Sequence, residues 1–239
     1  GDIQIYAPAA ALWMDVEAFL RKWLENVRLS QYEDGQVPNT VPRIPASELI
    51  EGDSHCSAAW GDACVIVPYR LYRAYGDVKI LKDNYDMMRR WMCYVEAQAA
   101  GKPGEKTGTS KYLWNTGFHF GDWLVPSLSR DGVSDPMAGA ELTKELVAPA
   151  IFAYTTSLMA RIAELVGDEE GREHYRFLNG RIKEAYAGEY ITGPGRLKID
   201  LQGMYVLALQ MELIPKDQVP AMADRLVELI RENGGCLDT

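Results

Sequence analysis

Apolar residues along the chain recur mostly at steps of three and four, the spacing that gathers side chains on one face of an α-helix. Trp13, Val16, Leu20, Trp23 and Val27 form one such stripe, and Leu81, Tyr85, Met88, Met92 and Val95 form a second. Leu158, Ile162 and Leu165 give a third, Tyr175, Leu178 and Ile182 a fourth, and Val219, Met222, Leu226 and Leu229 a late one. Between the stripes, AWGDACVIVPYRLYRAYG and DLQGMYVLALQMELI are apolar nearly all round, the pattern of a helix with no wet face. Pro68 is expected to kink or restart its helix, because proline lacks the N–H and clashes with the preceding turn. Gly76, Gly167 and Gly234 follow stripes and suit the left-handed residue that closes a helix, and Pro215 follows the apolar run ending at Ile214. No alternating run is longer than a few residues. The pattern predicts about seven helices and a nearly all-α fold.

Two repeats are visible. AYGDVKILKDNYDMMRRW and LVGDEEGREHYRFLNGRI share a helix end, a Gly-Asp turn, a new helix and a tyrosine one or two turns in. Their glycines, Gly76 and Gly167, are separated by two helical hairpins' worth of chain, a solenoid-scale period. Gly-Asp pairs also fall at Gly1-Asp2, Gly61-Asp62 and Gly121-Asp122, in even steps, two of them beside Trp60 and Trp123. Buried helices alternating with amphipathic ones predict an inner ring covered by an outer ring, the (α/α) toroid. Its long loops, about Tyr32 to Ala59 and about Gly101 to Gly121, would open on one face, and long loops in a compact domain often carry function.

Composition narrows the choice. With 34 acidic and 25 basic residues and a formal charge of −9, and no Lys/Arg cluster, a nucleic-acid surface is excluded. No apolar run approaches the ~20 residues of a membrane span, so no membrane partner is expected. The opening GDIQIYAPAA shows no charged n-region followed by an apolar h-region. Four cysteines (Cys56, Cys64, Cys93, Cys236) have no CxxC pair, and the histidines His55, His119 and His174 are scattered. Neither a disulfide framework nor a metal site is expected.

The loops suit sugar binding. Carboxylates accept strong hydrogen bonds from hydroxyls, and flat aromatic faces cover the C–H side of a pyranose. Asp62 beside Trp60, and Asp122 beside Trp123, offer this pairing; the alternative for each aspartate is a helix cap, and for each tryptophan a place in the core. Asp34-Gly35 reads as a turn. Glu51 and Asp53 read as solvated loop charge or as a cleft lining. Glu145 faces a cavity only if its helix phase is right. His119, in GFHFGDWL, is balanced between a sugar contact and packing among aromatics. GPGR at Gly193 to Arg196 is a turn, since no phosphate-loop lysine follows.

Six stretches together resemble the catalytic domain of bacterial α-L-rhamnosidases, glycoside hydrolase family 78. They are GDIQIYAPAAALWMDVEAFLRKWL, DGQVPNTVP, AAWGDACVIVPYRLYRAYGD, NYDMMRRWMCY, FGDWL and NGGCLDT, in family order and spread over nearly the whole chain. The resemblance implies an (α/α)6 barrel, incomplete in this chain and read as a single domain over 1–239. It also implies hydrolysis of terminal α-L-rhamnosides with inversion and without a cofactor, the partner being a rhamnose-containing glycoside or polysaccharide. An inverting hydrolase needs a carboxylic acid and a carboxylate base roughly 6.5–9.5 Å apart. The family's acid lies in D-x-x-x-R-E-x-x-G-W-x-G-D, of which this chain matches only the last two residues, Gly1-Asp2. Its base lies beyond a GG-x-L-x-T segment, matched here by Gly234 to Thr239. Both glutamates are therefore expected outside the chain, which alone should be almost inactive. Asp2 matches the aspartate that in the family contacts the sugar and supports catalysis. Trp60, Asp62, Asp122 and Trp123 match segments that line the family's pocket. Uncovered barrel edges are expected to make the chain self-associate or take up a partner fragment. Rhamnose occurs in plant polysaccharides, which leaves the compartment open between an exported or periplasmic protein and a cytoplasmic one. The competing readings are another (α/α)-barrel carbohydrate enzyme and a non-catalytic helical-repeat binding module.

Overall fold

The computed structural model describes residues 1–44, 56–128 and 135–238. Among them it has eight α-helices: α1 (Asp2–Trp13), α2 (Glu17–Ser30), α3 (Ala63–Tyr75), α4 (Lys79–Ala100), α5 (Pro136–Val166), α6 (Glu169–Tyr190), α7 (Gln202–Gln210) and α8 (Val219–Glu232). The strand content described is a two-stranded antiparallel hairpin, β1 (Ile191–Gly193) with β2 (Arg196–Leu197), and GPGR makes its turn as expected.

The chain divides into two compact units. The first comprises 1–98 and 155–178, the second 99–154 and 179–239, so α5 and α6 each contribute to both. In the first unit α3 packs against α1 and α2. Its core is the predicted one: Leu20, Val27, Leu81, Met88, Met92, Val95, Leu158, Ile162 and Tyr175 are all buried. In the second unit α7 packs against α8. There the buried Arg225 of α8 reaches Asp200, which also accepts a hydrogen bond from Tyr205 at 2.6 Å.

The helix stops are as the glycines predict. Gly76, Gly167 and Gly234 have φ of 77°, 86° and 66°. The residue after each of the first two explains the longer repeat. Asp77 Oδ1 accepts the Lys79 N–H at 2.8 Å, and Asp168 Oδ1 accepts the Gly171 N–H at 2.8 Å. Both aspartates thus satisfy free donors at a helix start, and Tyr85 links the two hairpins by donating to Asp168 Oδ2 at 2.8 Å.

Three expectations are corrected. The first stripe is two helices, because the chain breaks at Met14–Val16, leaving Trp13 84% exposed. Helix α3 runs unbroken through Pro68, in a chain where Pro8 and Pro149 also sit inside helices. The described helices number eight, in keeping with the about seven expected, the first stripe supplying two of them. And α5 is long and apolar enough to cross a membrane by length and composition, yet most of its apolar stretch is buried, as for a core helix.

Helix α1 is inverted relative to an ordinary surface helix. Its buried side carries Gln4, Ala7 and Ala10, whereas Ile5, Tyr6, Leu12 and Trp13 are exposed.

Candidate functional site

In the first unit a cavity of about 330 Å3 opens between the start of α1, the loop after α2 and the turn before α3. Asp2, Trp60, Trp23 and Asn39 are among its lining residues, with Ile3, Val37 and Val41 supplying apolar wall. Asp2 is exposed on the first turn of α1, and Trp60 is half-buried. The Trp60 ring lies so close to Gly1 that a Cβ there would come within 2.8 Å of it.

Trp60 is placed by a short hydrogen-bonded frame. The residue before it, Ala59, has φ 71°, a left-handed conformation that costs an alanine about 1–2 kcal/mol. Two groups hold it there. The Ala59 N–H donates to Asp62 Oδ2 at 2.9 Å, and the Ala59 carbonyl accepts from the Gln4 side-chain amide. Asp62 is 1% exposed and does not line the cavity. Its other oxygen, Oδ1, accepts from Trp91 Nε1 at 3.0 Å and from Thr155 Oγ1 at 2.8 Å. Burial pushes the Asp62 carboxyl above the usual carboxylate range, against the hydrogen bonds from Trp91, Thr155 and Ala59. Asp62 therefore sits behind Trp60 as an interior acceptor, and it makes no side-chain cap on α3.

The loop 31–41 that closes the cavity is pinned at both ends. Gln31 Nε2 donates to the carbonyls of Gly35 (2.9 Å) and Met87 (3.1 Å), and Arg90 Nη2 donates to Tyr32 O at 2.6 Å. Gly35 has φ 97°, and a Cβ on it would lie 2.3 Å from the Arg90 carbonyl oxygen, so the Asp34-Gly35 turn requires glycine. At the far end Trp23 Nε1 donates to Val41 O at 3.2 Å.

The second pair lies in the second unit. Asp122 is half-buried, its N–H donating to Thr143 Oγ1 at 2.7 Å. Its Oδ2 lies 2.7 Å from where a Cβ of Gly203 would be, so the carboxylate rests against the first turn of α7. Burial, and next the neighbouring Asp238, push the Asp122 carboxyl up. Trp123 is 38% exposed beside Phe120, with ring centroids 5.7 Å apart. Asp238 ties this loop down by accepting from the Ser127 N–H at 2.8 Å and the Ser127 hydroxyl at 2.5 Å.

Asp2 and Trp60 thus share one cavity, Asp62 stands behind it, and Asp122 and Trp123 form a separate half-exposed pair in the second unit. His119 is buried, edge-on to Trp114 at 4.5 Å, and burial lowers its pKa to about 4. Glu145 makes a surface ion pair with Lys198 at 3.3 Å. Glu51, Asp53 and His55 lie outside the described residues. No cluster of potential metal ligands occurs among the described residues. Asn39 and Gln4 were not singled out from the sequence, their only signal being membership of stretches that carry the family resemblance, and Trp23 was read there as a helix-stripe residue and not as part of the site.

Residues 1–239 match the family model of the bacterial α-L-rhamnosidase six-hairpin glycosidase domain. The chain belongs to that family. It is 36% identical over its full length to an α-L-rhamnosidase of Streptomyces avermitilis, of which it covers 20%, and 30% identical to one of Formosa agariphila, of which it covers 24%. The crystal structure of the Streptomyces avermitilis α-L-rhamnosidase complexed with L-rhamnose superposes with a TM-score of 0.80 at 33% identity, covering 100% of this chain and 20% of that one. The Aspergillus terreus α-L-rhamnosidase structure gives a TM-score of 0.78 at 26% identity, covering 99% and 26%. The chain thus spans about a fifth to a quarter of the length of these relatives. In this six-hairpin member, the stretches that carried the resemblance are paired by the fold. GDIQIYAP meets AAWGD and DGQVPNTVP around the cavity, and FGDWL with the residues after it meets NGGCLDT through Ser127 and Asp238.

Proposed function

We propose that the protein carrying this domain hydrolyses terminal α-L-rhamnosides with inversion, and that the cavity holding Asp2 and Trp60 is one wall of its sugar pocket. The observation that carries the reading is that juxtaposition: an exposed carboxylate and a half-buried indole on one cavity, in a chain similar over its full length to an enzyme crystallised with L-rhamnose. A carboxylate accepts hydrogen bonds from ring hydroxyls, and the indole with Ile3 and Val41 covers the C–H face and methyl group of a 6-deoxy sugar. Asp2 is the residue in contact with substrate. Asp62 is a positioning residue that fixes Ala59 and so Trp60. Asp122 and Trp123, in the second unit, are assigned to sugar contact by their chemistry, as a half-buried acceptor beside an exposed aromatic. The substrate class is a rhamnose-containing glycoside or polysaccharide, and the domain comprises 1–239.

The test is hydrolysis of an aryl α-L-rhamnoside by the full-length protein. Asp2→Asn is expected to lower kcat/KM on the order of 100-fold, as for loss of a charged hydrogen bond strengthened in the transition state, with the unfolding midpoint unchanged. Turnover unaffected by Asp2→Asn would remove this cavity from the sugar site. A wild-type protein inert on rhamnosides but active on glucosides would favour another (α/α)-barrel hydrolase.

A further inference from the structure

The cavity contains a polar group that neither its walls nor the frame behind it satisfies. Asn39 is 8% exposed, and among the described residues neither its Nδ2 nor its Oδ1 has a hydrogen-bond partner. A buried amide left this way costs about 1–3 kcal/mol for each unsatisfied group, and such groups in folded proteins call for an explanation. Its position is not loose. The loop is fixed on one side by the Asp34-Gly35 turn against α4 and on the other by Trp23 holding Val41. Val37 and Pro38, immediately before it, are buried. A rigid loop therefore delivers one carbonyl acceptor and two N–H donors to the lining of a cavity that also holds Asp2 and Trp60.

We infer that Asn39 is a sugar-binding residue, its amide donating to one hydroxyl of the bound rhamnosyl unit and accepting from an adjacent one. This deepens the proposed function and rests on it. The chemistry matches: a vicinal diol presents an acceptor and a donor side by side, and a primary amide is the neutral side chain with the complementary pair. Asp2 can only accept while ionised, so the two residues divide the work. Asn39 supplies the donor that a carboxylate lacks. A site built to hydrogen-bond hydroxyls also rejects analogues without them, because its own buried groups are then left unpaired.

An amide that waits for ligand destabilises the free protein, so replacing it with an apolar side chain of similar reach should strengthen the fold while weakening binding. The experiment uses the full-length protein with Asn39→Leu, and Asn39→Ser as the smaller alternative should leucine not be accommodated. L-rhamnose affinity is read by calorimetry, kcat/KM on an aryl α-L-rhamnoside by absorbance, and the sugar-free urea midpoint by fluorescence. The expected result is at least a tenfold loss of L-rhamnose affinity and of kcat/KM, with a midpoint equal to or above that of wild type. Affinity and kcat/KM within twofold of wild type would overturn the assignment and leave the rhamnosidase reading standing. A lowered midpoint in both variants would show Asn39 to be a structural group and overturn it equally. A wild-type protein that neither binds L-rhamnose nor cleaves the glycoside would end both readings, and that control separates the two failures.

Discussion

Removing the Asp62 carboxylate tests whether the wall behind the cavity is built as described. Three donors converge on it: Trp91 Nε1 and Thr155 Oγ1 on one oxygen and the Ala59 N–H on the other. Trp91 and Thr155 are both fully buried. In Asp62→Ala the Thr155 hydroxyl can rotate toward another acceptor, but the indole and backbone N–H groups cannot. Two fixed donors left unsatisfied cost about 1–3 kcal/mol each, or about 2–6 kcal/mol together. Against the 5–15 kcal/mol typical of a folded domain, that is a large fraction. Asp62→Asn keeps the shape and one oxygen. That oxygen can serve Trp91 and Thr155, but its NH2 then faces the Ala59 N–H, so the expected loss is about 1–3 kcal/mol, for one contact rather than two. Urea unfolding followed by tryptophan fluorescence gives both values. The order wild type, Asn, Ala is the prediction. A loss below about 1 kcal/mol for alanine, or equal losses for the two variants, would refute an account in which Asp62 acts through its hydrogen bonds.

Acid stability should carry the mark of the repeated turns. The Lys79 N–H and the Gly171 N–H hold the Asp77 and Asp168 carboxyls below their ordinary range. A depressed carboxyl stabilises the fold above its unfolded pKa of about 4 and loses that contribution as pH falls through the folded value. Asp77→Asn with Asp168→Asn should therefore flatten the acid limb of a midpoint-against-pH curve; an unchanged limb would assign acid unfolding elsewhere. The apolar row on α1, with Ile5 and Leu12 at 77% and 86% exposure, is expected to drive self-association of the isolated chain. Size-exclusion chromatography at micromolar concentration should show species larger than a monomer that Ile5→Glu with Leu12→Glu disperses, and a compact monomer for the unaltered chain would contradict this.

The fold was legible where local signals agree with one another. Three- and four-residue steps marked the helical core residues, and the glycines at 76, 167 and 234 ended helices because only a left-handed residue fits there. Trp13 was misplaced because the period continues across the break at Met14–Val16, and periodicity cannot tell one long helix from two in phase. The helix does not restart at Pro68 because a buried helix is held by its packing more than by its hydrogen-bond ladder. At the site, Asp2 and Trp60 could be paired through the family resemblance. The place of Asp62 behind the cavity depends on Trp91 and Thr155, distant in sequence, and nothing local announces it. Asn39 is the extreme case: its distinguishing property is that its buried amide finds no hydrogen-bond partner among the described residues, a fact that exists only in three dimensions.

The three evenly spaced Gly-Asp pairs share a steric rule rather than a chemical one. A Cβ at Gly1, Gly61 or Gly121 would come within 2.8 Å of Trp60, 2.3 Å of Trp91 or 2.5 Å of Thr143, while the adjoining carboxylates face a cavity, the interior and the start of α7. A saturation scan of the chain should therefore return the same intolerance at all three glycines yet three unlike profiles at the aspartates. Read alone, the glycine column would advertise a threefold sugar signature where the molecule has only three crowded backbones.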